Sequence, residues 1–99
     1  MRKKYYEFND FEYYGLVTVT EEYEGEDLLD KAFKVYLETI AGESIEQLKE
    51  EGTPHEISLN SVLDRCYQTR DVKSITTKEF FHNFIYVDNT YLLVDGGLI

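Results

Sequence analysis

Cys66, His55 and His82 carry what intrinsic reactivity this 99-residue chain offers for nucleophilic or proton-transfer chemistry. A cysteine nucleophile needs a depressed pKa and a base within reach, and only the two imidazoles could serve. Cys66, however, shares an apolar stripe with Leu59, Val62 and Leu63, which points to a buried, inert thiol. His82 sits between Phe81 and Asn83 in an expected helix, and His55 follows Pro54 in an expected loop. Neither histidine has metal-ligand spacing, and the chain has no Asp-x-Asp-x-Asp-Gly loop. Gly-x-Gly-x-x-Gly, Walker and Gly-x-Ser-x-Gly patterns are also missing, and Gly96-Gly97 reads as a turn. The expectation is a protein that is not an enzyme and uses no metal or cofactor.

The carboxylates offer a different kind of chemistry, that of recognition. Twenty acidic residues against ten basic ones leave a net charge of −10. Such a field disfavours direct contact with nucleic acid or an anionic membrane, and favours a protein partner with a basic surface. The acid is also uneven. Residues 5–30 hold Glu7, Asp10, Glu12, Glu21, Glu22, Glu24, Glu26, Asp27 and Asp30 with no Lys or Arg, interleaved with Tyr5, Tyr6, Phe8, Phe11, Tyr13, Tyr14 and Tyr23. A smaller run, Glu43, Glu46, Glu50 and Glu51, is relieved only by Lys49.

Duplex DNA carries one charge per about 1.7 Å of axis, and carboxylates spaced about 6–7 Å apart on a strand or helix can occupy a groove built for it. The expected partner-binding set is therefore Glu7, Asp10, Glu12, Tyr13, Glu21, Glu22, Tyr23 and Glu24, the aromatics serving as interface anchors. A plainer account competes: Glu26, Asp27 and Asp30 suit a helix N-terminus, and other acids blunt a strand edge. The mimicry reading requires these carboxylates to face outward as one plate, not covered by Arg65, Arg70 or Lys73. The rival expectation is a regulatory or assembly module that acts through apolar contacts or homodimerises by a strand edge.

The elements that must position these groups are legible in part. Tyr13–Thr20, rich in β-branched and aromatic residues, predicts a strand, with Lys4–Phe8 pairing across Asn9-Asp10 as a hairpin or lying as a frayed arm. From Glu26, the spacing of Leu29, Phe33, Tyr36, Leu37 and Ile40 predicts a helix ended by Gly42. Ser44-Ile45-Glu46-Gln47 predicts a capping box opening a short helix with Ile45 and Leu48 inward, stopped by Gly52 and Pro54. A third helix is expected from Ser58 to about Thr69. Thr76-Thr77-Lys78-Glu79 opens either a fourth helix or a stretch in which Phe84–Val87 forms a hairpin with the strand at Tyr91–Val94.

One α+β domain spanning 1–99 follows, a small mostly antiparallel sheet of N- and C-terminal strands with three or four helices on one face. The lone cysteine excludes an internal disulfide, and Met1-Arg2-Lys3-Lys4 is followed by Tyr5-Tyr6-Glu7 instead of an apolar leader. A cytoplasmic location is expected.

The opening Lys3-Lys4-Tyr5-Tyr6-Glu7-Phe8-Asn9-Asp10-Phe11-Glu12-Tyr13-Tyr14 and the closing Leu92-Leu93-Val94-Asp95-Gly96-Gly97 resemble small acidic proteins encoded by phages and plasmids of Gram-positive bacteria. Some proteins of that kind inhibit host defence nucleases, among them anti-CRISPR and anti-restriction proteins. The resemblance implies a mimic acting in a bacterial cytoplasm, and assigns no individual residue a role.

Overall fold

Alternation along two neighbouring strands organises the molecule. In the computed structural model, which describes residues 2–69 and 88–94, β1 (Lys3–Phe8) and β2 (Gly15–Thr20) pair antiparallel from Lys3 opposite Thr20 to Phe8 opposite Gly15. Of the two expectations for the N-terminal segment, the hairpin is the one observed. β3 (His55–Ile57) adds to the free side of β1 and β4 (Thr90–Val94) to that of β2, giving the order β3-β1-β2-β4 with every pairing antiparallel. Between Leu16 and Val17 the register with β4 shifts, a bulge of the kind that bends a strand and increases its twist.

Among the described residues, three helices follow β2: α1 (Leu28–Thr39), α2 (Ile45–Glu51) and, after β3, α3 (Leu59–Thr69). Asp27 caps α1 by accepting from the N–H groups of Leu29 and Asp30, which satisfies donors that the first turn leaves open. Ser44 caps α2 through the Gln47 N–H at 3.1 Å. The Gln47 side chain, in turn, accepts from Glu43 N–H, one residue earlier than a standard capping box would use. Leu29, expected inward, is 37% exposed; Leu28, Ala32, Phe33, Val35 and Tyr36 form the buried stripe instead.

The α+β class and the sheet of terminal strands agree with expectation, but the helices divide between two faces. Tyr6, Phe8, Val17 and Val19 meet α1 and Leu48 of α2 on one side. Tyr5, Leu16 and Leu92 meet Val62 and Leu63 of α3 on the other. Both faces of β1 and β2 carry apolar side chains, so a single covering layer would leave Tyr5 and Leu16 in water. β3 was not expected, because three residues, His-Glu-Ile, are too short for a periodicity signal. The expected helix after Thr76, the Phe84–Val87 alternative and the Asp95–Gly97 turn lie outside the described residues, as does the Cys66 side chain.

Gly15 lies directly beneath Tyr36 of α1 and its C-cap residue Ile40. A Cβ there would stand 2.5 Å from Ile40 Cδ1 and 3.0 Å from Tyr36 Cε2. The Tyr36 ring cannot yield, since its hydroxyl donates to Tyr13 O at 2.7 Å and its face stacks on Phe8. Gly15→Ala is therefore expected to cost about 1–3 kcal/mol by overpacking, read as a lower urea midpoint at unchanged m.

Candidate functional site

The hairpin separates the expected binding residues. Asp10, Glu12 and Tyr13 lie in its connecting loop, whereas Glu21, Glu22, Tyr23 and Glu24 follow β2 at the opposite end. Six paired residues put about 17 Å between the two ends. The single plate expected from the sequence is thus two patches, because an antiparallel turn reverses the chain and parts residues on either side of a strand.

Glu7 belongs to neither patch. It points to the same side as Tyr5, is only 6% exposed, and accepts from Arg65 Nε at 2.6 Å, Arg65 Nη2 at 3.3 Å and Tyr14 Oη at 2.6 Å. The hydrogen bond from Arg65 holds its carboxyl below the usual carboxylate range against the opposing effect of burial, and Tyr14 assists. Glu7 is corrected from a contact residue to the polar link between β1 and α3. Its buried carboxylate needs a fork-shaped donor, and α3 carries one in Arg65. Glu21 is likewise drawn in, against Arg2 Nε at 2.7 Å.

At the loop end, Asp10 and Glu12 are exposed, and tertiary structure adds a group that is distant in sequence. Glu12 N–H donates to Glu51 Oε1 at 3.3 Å, which joins the hairpin loop to the last turn of α2. Part of the first acidic run thereby meets the second, with Glu46 and Glu50 exposed along the same helix. Tyr36 senses the convergence: burial raises its pKa first, and the charges of Glu51 and Glu12 raise it further. Lys49 turns away to pair with Asp30 at 3.2 Å and lie over the Phe33 ring. Among the described residues, Glu12, Glu46, Glu50 and Glu51 have no ion pair, and Asp10 has only His55 Nε2 at 4.0 Å. Tyr13 is half-buried and contributes its carbonyl to Tyr36, so it frames the patch instead of standing above it.

The opposite end is more nearly neutral. Glu22 pairs with Lys31 at 3.2 Å, and Glu26 pairs with the same ammonium at 3.1 Å. Glu24 has no ion pair among the described residues, and Tyr23 is 63% exposed. No group of three or more His, Cys, Asp or Glu among the described residues is arranged to hold a metal ion. No described helix is long and apolar enough to cross a membrane.

The fold and these surfaces define a small α+β module with exposed carboxylates at both ends of a hairpin, those at the loop end joined by others on α2. The chain matches the model of the YosH C-terminal domain over residues 3–93, and it belongs to that family. Membership fits, loosely, the resemblance to small proteins of Gram-positive bacteria. No curated protein and no solved structure matches the chain.

Proposed function

We propose that this protein is a non-enzymatic interaction module that offers the smaller acidic patch formed by the hairpin loop and α2, in place of the single plate expected from the sequence, to a basic, nucleic-acid-binding surface of another protein, in the manner of a phage-borne inhibitor of a host nuclease. The observation that carries the reading is the meeting of Glu12 with Glu51, in the loop that also carries Asp10 and on the helix that also carries Glu46 and Glu50, without a Lys or Arg partner among the described residues. Glu50 also occupies the end of α2, where the helix dipole favours cations, and makes no hydrogen bond or ion pair among the described residues, so local stability does not explain it. Groups placed against a local stability rule are where a functional demand is expected to act.

Opposite signs for stability and binding follow. Changing Glu50 to Gln is expected to leave the fold intact and raise stability by a few tenths of a kcal/mol up to about 1 kcal/mol. The same change should weaken capture of a basic partner in pull-downs from a Gram-positive host lysate. Capture should fall steeply between low and high salt, as screening of exposed charges requires. A captured partner retained equally by wild type and by the Asp10→Asn, Glu12→Gln, Glu50→Gln, Glu51→Gln variant at both salt concentrations would reject the acidic surface.

A further inference from the structure

We draw no further inference here: the strongest candidate, the fully buried Thr18 hydroxyl that lacks a hydrogen-bond partner on the face of the sheet shared with Tyr5, carries nothing because nothing in the structure shows what would engage it.

Discussion

Phe8→Ala should be the most damaging single truncation in the described core, costing about 3–5 kcal/mol in chemical denaturation, with the domain barely folded or unfolded at physiological temperature. Phe8 is fully buried at the end of β1. Its ring stacks on Tyr36 at a centroid distance of 4.5 Å and meets Phe11 at 4.9 Å and Phe33 at 5.8 Å edge to face. Removing it opens a void that four elements share: β1, its following loop, α1 and, through Leu48 in the same cluster, α2. Those elements fix the loop that carries Asp10 and Glu12, so loss of the acidic patch should follow loss of the fold. Phe8→Leu, which keeps most of the volume, is expected to retain the larger part of the stability. Equal losses for Ala and Leu would show that ring stacking outweighs volume.

Arg65→Met is expected to cost about 2–3 kcal/mol, because it leaves the Glu7 carboxylate buried with Tyr14 as its remaining donor among those named. The figure stays below that of a fully enclosed pair because the Arg65 side chain is still 35% exposed. The double change Glu7→Gln, Arg65→Met should recover part of the loss, since it removes the stranded charge along with its partner. The pH dependence has a definite sign. The folded pKa of Glu7 is depressed, so its contribution is fully present above the unfolded carboxylate value of about 4.3 and is lost as pH falls through the lower folded value. Wild type should thus lose stability on acidification below that point more steeply than Glu7→Gln. Parallel stability profiles for the two proteins below pH 4.3 would contradict the role assigned to this pair.

The same link explains why part of the site was hidden in the sequence. Glu7 and Arg65 are far apart in the chain, and nothing in the pattern around Glu7 distinguishes it from Glu12. A strand whose two faces are both buried turns every residue inward, so alternation gives no warning that one of them is charged. Glu21 and Arg2 make the same point at the other end of the hairpin. The Ser44 cap, by contrast, was readable, because it acts on an N–H group three residues away, whereas which of Glu26 and Asp27 caps α1 was decided by where the helix begins. The inward stripe of α1 was off by one position at its start. Leu28 and Leu29 are equally apolar, and only packing against the sheet decides which is buried.

Interactions within a few residues were therefore settled by the sequence itself: the strand at β2, the three described helices with the Ser44 cap of the second, the concentration of acid in the first third, and the α+β class. Tertiary structure decided that the helices cover two faces, that Glu7 serves the interior, and that the acidic residues form two patches, one of them completed by Glu51 from α2. The physical reason is that capping and periodicity are satisfied locally. The fate of a charged side chain instead depends on which distant segment supplies its counter-charge and excludes its water, and that is fixed only when the sheet and helices close on one another.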